Sequence, residues 1–293
     1  MKIVIAAASG NIGRRTAEKV IQAGAETVLL SRHPEKLADL VAKGATVKPI
    51  GSDDTPGLIE ATQNADALFW LTPPKLDVPS LYDWYIQTAT AGATAVKENR
   101  IERVVNISSI GAGAKPNLGA VSFCGDVEAI FNQTGASLLH LRPGCFMENF
   151  LPSQVEFIRR DRTVNFPFPS EHDMPWISTD DIGDVAAKYL IDDAWSGQWT
   201  HNLMGSENLT LSQITEILSK MRGHPIEYFQ VTIESFQQSL ALMGATPDVQ
   251  REIRNMYLDL GDSDGVYATA RTPEAVTPTT FEMFAKNKLF PRI

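Results

Sequence analysis

MKIVIAAASGNIGRRTAEKVIQAGAETVLL, residues 1–30, reads in succession as strand, turn, helix and strand. Residues 1–6 are a run of β-formers, and residues 14–23 carry Ala17, Val20 and Ile21 on one helical face before a helix-ending Gly24. A second strand over 27–30 makes this a βαβ opening of the dinucleotide-binding kind. Between the first strand and the helix lie Ser9, Gly10, Asn11, Ile12 and Gly13, whose backbone N–H groups at a helix N-terminus suit a diphosphate. Gly10 lets a ligand approach, and Gly13 lets the helix pack on the strand. The strict pattern has one more glycine before Gly10, where Ala7 or Ala8 stands, so the motif alone also admits a turn that binds nothing.

The end of the second strand selects the cofactor. An acidic residue there hydrogen-bonds the ribose 2′-hydroxyl, whereas a small residue followed by Arg leaves room for a 2′-phosphate. The chain has Ser31 at that point, Arg32 able to stack on adenine and fork onto phosphate, and Lys36 one helical turn on. NADP(H) is thus favoured over NAD(H), the alternative being that Arg32 and Lys36 are simply solvated.

With 293 residues, 43% of them hydrophobic, the chain suits one doubly wound domain plus a smaller appended region. No segment approaches the length of a membrane span, and the first strand begins at once with no cleavage pattern, so a cytoplasmic protein without a membrane partner is expected. Cys124 and Cys145 are too few for a disulfide scaffold or a zinc site, and no metal is expected. A net charge of −9 argues against direct binding to nucleic acid.

From residue 34 onward, helix and strand alternate. Helices are expected over 34–43, 56–63, 81–99 and 126–134, and strands over 46–50, 67–71, 103–107 and 137–141. The fold class is therefore α/β, a Rossmann-type doubly wound parallel sheet whose strands all end on one edge, where ligands bind. Thr72, Pro73 and Pro74 after the fourth strand join the cofactor site on that edge, as do Ser108 and Ser109 after the fifth. Arg142, Pro143 and Gly144 after the sixth close over its far side, and Asp53 is placed to meet the adenine.

Residues 150–176 mix aromatics with prolines and read as unlike a regular element. Further helices follow over 182–192, 211–221, 233–243, 247–258 and 281–287. Residues 1–150 form the NAD(P)-binding domain, and 178–204 return to its sheet. Residues 151–177 and 205–293 form a smaller, mainly helical C-terminal substrate domain. Cys145, Phe146, Met147, Asn149, Phe150 and Trp176 are expected to wall an apolar pocket over the nicotinamide, suited to a flat aromatic acceptor.

The set GNIG at 10–13, SRHPEK at 31–36, LTPP at 71–74, NISS at 106–109 and LRPGCFMEN at 141–149 resembles the NmrA-like group of atypical short-chain dehydrogenases. PTTFEMFA at 278–285 resembles that group's closing helix, so the resemblance spans essentially the whole chain. It implies NAD(P) binding, together with triphenylmethane, azo-dye or quinone reduction or else the role of an NADP sensor acting on a regulatory protein partner. Short-chain dehydrogenases of the usual scheme use Tyr as acid with Lys four residues later. Ala120 and Cys124 fall at those positions, or Ser122 and Asp126 in a shifted register, and neither register supplies the pair.

A reduction that needs a strong positioned acid is therefore disfavoured, while hydride transfer to a quinone, dye or enone asks less of the protein. Ser108, Ser109 and Cys124 are the nearest catalytic candidates. Tyr82 and Tyr85 read as core or rim, Lys115 as solvated and His140 as a satisfied core histidine. Two classes stay open: an NADPH-dependent oxidoreductase acting on a small aromatic or quinone-like substrate, and a non-catalytic NADP(H)-binding redox sensor. A homodimer is likewise open.

Overall fold

Strands apolar on both faces belong inside a helix-covered parallel sheet, and the computed structural model, which describes residues 1–293, places them there. The opening unit is β1 (Lys2–Ile5), α1 (Asn11–Gln22) and β2 (Glu26–Leu30). The helix expected over 34–43 is instead a tight 3-10 turn (Pro34–Leu37) running into the single-turn α2 (Ala38–Val41), and β3 (Thr46–Lys48) follows. Next come α3 (Thr55–Ala61), β4 (Ala67–Leu71), α4 (Leu81–Asn99), β5 (Arg103–Ile107), α5 (Ala120–Asn132) and β6 (Ser137–Pro143).

Helix α5 begins at Ala120 rather than 126, because Gly119 at φ 53° turns the chain into it. Gly125 lies inside the helix. A Cβ there would stand 2.6 Å from the Gly113 nitrogen, so the residue marks a close crossing of helix and loop.

The stretch over 150–176 is also corrected. After β7 (Cys145–Phe146) it folds into α6 (Phe150–Arg160), β8 (Thr163–Phe166) and β9 (Met174–Ile177). Pro152 sits in the first turn of α6, where no intrahelical N–H bond is lost. Then follow α7 (Thr179–Ile191), capped by the Ser178 hydroxyl, and β10 (Gln198–Leu203). The chain continues with β11 (Asn208–Leu209), α8 (Leu211–Arg222), β12 (Glu227–Gln230), α9 (Ile233–Leu242) and α10 (Pro247–Leu260). The closing helix is α-helical only over α11 (Phe281–Phe284), then widens into a π turn over Ala285–Leu289.

Seven strands form one sheet in the order β10-β6-β5-β4-β1-β2-β3, and every neighbouring pair is parallel. The chain winds outward from β1 to β3, then returns to β4 and winds the other way. The carboxyl ends of β1 and β4 therefore flank the switch point at which such sheets bind ligands. Trp70, Trp84 and Phe131 pack one sheet face beneath α4 and α5, while Ile5, Leu29, Ala186 and Leu190 pack the other beneath α1 and α7. A third core, around Phe150, Trp176 and Phe281, belongs to the C-terminal elements. No helix is long and apolar enough to cross a membrane.

The first turn depends on two backbone details. Ala7, at φ 51°, takes the left-handed conformation that glycine fills more easily, at a strain of about 1 kcal/mol. Its carbonyl accepts the Gly10 N–H at 3.0 Å, and a Cβ on Gly13 would stand 2.5 Å from the same oxygen. Gly13→Ala therefore forces helix and turn apart. It should lower stability by roughly 2 kcal/mol, read from urea unfolding, and an unchanged midpoint would refute the close packing assigned here.

Candidate active site

A cleft of about 340 Å³ opens at the switch point. Its floor is Ser9, Gly10, Asn11, Ile12 and Gly13, and its walls include Ser31, Arg32 and His33 after β2 and Pro73 and Pro74 after β4. Gly10 caps α1 without a side-chain hydrogen bond, and no acidic residue lies in the first turn, so the end of the helix suits an anion. Beneath Arg32, the Ser31 hydroxyl donates to Ser9 Oγ at 3.1 Å and accepts the His33 N–H at 3.0 Å. His33 was not among the expected site residues; its place directly after Arg32 was the available signal.

Of the expected cofactor residues, Lys36, Asp53, Thr72, Ser108, Pro143 and Gly144 lie off this cleft. Lys36 is exposed, and its carbonyl accepts from Arg14 at 2.9 Å. Asp53 stands behind the lining residues Gly51 and Ser52. Thr72 lines the adjoining apolar cavity instead, its hydroxyl accepting the Trp70 indole N–H at 3.2 Å.

A second cavity of about 460 Å³ continues from the cleft, sharing Leu71, Pro74 and Phe146 with it. It lies between α4 and α5 on one side and α9 and α10 on the other, and 16 of its 22 lining residues are hydrophobic, so it suits an apolar ligand. Ser108, Ser109, Cys124, Phe146 and Asn149 all face it. A side recess of about 150 Å³ adds Pro143, Gly144, Cys145 and Tyr267. The expectation that Met147, Phe150 and Trp176 line the pocket is corrected. They are almost wholly buried in the C-terminal core, with Phe150 packed edge-on against Phe166, Trp176 and Phe281.

The polar centre of the site is a network that sequence reasoning missed. Buried Glu128 accepts the Ser108 hydroxyl at 2.5 Å and both arms of the Arg142 guanidinium, at 2.9 and 2.6 Å. Ser108 is thereby committed as a donor, and Ser109 donates to the Ile110 carbonyl at 3.1 Å. Burial, reinforced by the Glu128 charge, pushes the Cys124 thiol up to about 12, and burial does the same for Cys145, so neither supplies a thiolate at neutral pH. Lys115 is held by Asp259 at 3.7 Å, outside the cavity lining. His140 is a satisfied core histidine, bonded to Asn106 at 3.1 Å and Asn132 at 3.0 Å.

A parallel sheet of this order, with an anion-ready first turn and helices over its carboxyl edge, defines a dinucleotide-binding α/β protein of short-chain dehydrogenase type. The chain belongs to the NmrA-like family, whose model matches residues 1–285. It is similar to the NAD(P)H azoreductase of Xenophilus azovorans, 24% identical over 287 residues that cover 97% of this chain and 96% of that one. Among solved structures it is similar to Citrobacter sp. triphenylmethane reductase complexed with NADP(H), with a TM-score of 0.81 at 15% identity, covering 98% of this chain and 99% of that one. It is also similar to NmrA, a negative transcriptional regulator, in complex with NADP, with a TM-score of 0.75 at 16% identity over 99% and 95% of the two chains. These structural likenesses show the fold alone.

Two outcomes follow from the network. Glu128→Gln leaves the Arg142 guanidinium without its carboxylate and should lower unfolding free energy by roughly 3 kcal/mol, a loss that an isosteric surface exchange would not produce. Burial holds the His140 pKa below its usual 6.5, so the unfolded chain binds the extra proton first. Its contribution to stability is complete above about 6.5 and drains as pH falls from there through the depressed folded value. His140→Gln should flatten that part of the stability–pH curve, and an unaltered slope would exclude His140 as its source.

Proposed function

We propose that the protein is an NADP(H)-dependent oxidoreductase that reduces a flat, largely apolar acceptor of the quinone, dye or enone class. The observation that carries this reading is the direct continuity of an anion-ready cleft with an apolar cavity. A bound NADPH would supply a hydride. The first turn from Ser9 to Gly13 would hold its diphosphate, and Arg32 above Ser31 would take the 2′-phosphate, since no carboxylate stands there to claim a ribose hydroxyl. Pro143 and Gly144 would border the nicotinamide side. The walls of α4, α5, α9 and α10 would exclude water from the acceptor and orient it, which is most of what such a transfer requires.

The absence of a Tyr/Lys pair on α5 favours a second reading, a non-catalytic NADP(H)-binding sensor that changes a partner's affinity with cofactor state. Calorimetric titration with NADPH and NADH, followed by NADPH oxidation against quinones, azo dyes and enones, separates the two. Turnover of any acceptor supports the reductase, whereas tight binding without turnover across the panel supports the sensor. Arg32→Glu should weaken NADPH binding by on the order of 2 kcal/mol and NADH binding much less, and equal losses would remove the 2′-phosphate role.

A further inference from the structure

We infer that the Tyr85 hydroxyl, reaching into the apolar cavity from α4, donates a hydrogen bond to the acceptor's carbonyl oxygen, an inference that rests on the reductase reading above. Tyr85 is 6% exposed and lines the cavity together with Ser108, Ser109 and Cys124. Buried phenols ordinarily find a partner. Tyr228 does, donating to the Phe166 carbonyl at 2.7 Å, but the Tyr85 hydroxyl has none within the protein. Its ring is fixed edge-on against Phe123, with centroids 5.7 Å apart, so the hydroxyl is presented by a rigid support.

Of the other donors around the cavity, Lys75 lies over the Trp84 ring beside Pro74 and Thr72 accepts from the Trp70 indole. The Ser108 hydroxyl donates to Glu128 and the Ser109 hydroxyl to the Ile110 carbonyl, while Cys124, at the position where the usual scheme has lysine, is only a thiol. The Tyr257 hydroxyl is likewise without a partner in the protein, but its ring is stacked on Phe168 at 5.2 Å and lies 4.3 Å from Phe236, on the wall opposite α4 and α5 and away from Ser108 and Cys124.

As a quinone takes up a hydride, with its two electrons and one hydrogen, negative charge gathers on the carbonyl oxygen. A hydrogen bond already aimed at that oxygen strengthens at that moment. Burial raises the Tyr85 pKa far above its ordinary value, so the phenol stays neutral and keeps its proton. The reduced acceptor takes its second hydrogen as a proton from water at the open cleft, leaving hydroxide to the buffer. A cationic triarylmethane dye differs, because hydride at its central carbon neutralises it and no oxyanion forms.

Tyr85→Phe keeps the ring and removes only the donor. Its kcat/KM for a naphthoquinone should fall about 100-fold, at least tenfold more than for a cationic triarylmethane dye. A binding measurement without turnover reads the same contact. With NADP+ present, the wild-type protein should bind the ketone 1-tetralone about tenfold more tightly than tetralin, and Tyr85→Phe should bind the two alike. Equal losses for quinone and dye, a retained ketone preference in Tyr85→Phe, or transfer of the effect to Tyr257→Phe would overturn the assignment. A wild-type protein that shows the ketone preference but reduces nothing would sink the reductase reading while leaving the Tyr85 contact standing. Should Tyr85→Phe fail to fold, the wild-type comparison of tetralone with tetralin still decides, and equal affinities would overturn the contact.

Discussion

The geometry of the cofactor edge depends on how closely α1 approaches the turn that precedes it. Gly13 faces the Ala7 carbonyl at a distance that admits no Cβ, so α1 starts immediately beside β1 and its free N–H groups face the cleft. The same closeness is passed outward. A Cβ on Gly183 would come 2.7 Å from the Arg15 side chain, and Arg15 clasps Asp184 with hydrogen bonds of 2.7 and 2.9 Å. This partly exposed pair contributes more to the alignment of α1 with α7 than to net stability. The chain's end is then tied to α7, because Asp181 accepts the Thr279 N–H at 2.9 Å and Lys288 bridges Asp180 and Glu148.

Glu128 imposes a second constraint, this time on the chemistry. Its carboxylate lies beneath the site with both oxygens engaged by Arg142, which makes it a strut rather than an acid or base. Ser108 is drawn into that strut, so the end of β5 offers shape more than reactivity. In a site built in this way the unpartnered hydroxyls are those of Tyr85 on α4 and Tyr257 on α10, and an acceptor of the proposed kind would be recognised from the helices.

The parallel sheet was legible because its strands are short apolar runs bounded by turns, and the alternation with helices leaves few topologies. The first turn and the residues after β2 were legible for a related reason: both are local, and their roles follow from backbone geometry and the size of one side chain. Glu128 and Glu148 were not, since a carboxylate reads as surface until its partner is known, and Arg142 and Lys288 reach them through tertiary structure. Phe150 and Trp176 show the converse difficulty. A large aromatic beside a site has the same composition signal whether it faces a ligand or a core, and here packing decided for the core. The mixture of prolines and aromatics over 150–176 hid α6 because proline is only disruptive beyond the first turn.

The cavity's charge pattern narrows the proposed acceptor further than its size does. Lys75 is the only charged residue among those lining it, and it stands near Pro74, with its ammonium 4.9 Å from the Trp84 ring. An anionic group carried deeper into the cavity would lose its water and meet no cation, a penalty of several kcal/mol in so apolar a setting. A neutral ring system or a delocalised cation carries no such penalty, because its charge density is low enough to be stabilised by the aromatic walls. An acceptor of the proposed kind that bears one acidic substituent is therefore expected to lie with that group toward Lys75 and its rings in the apolar interior of the cavity.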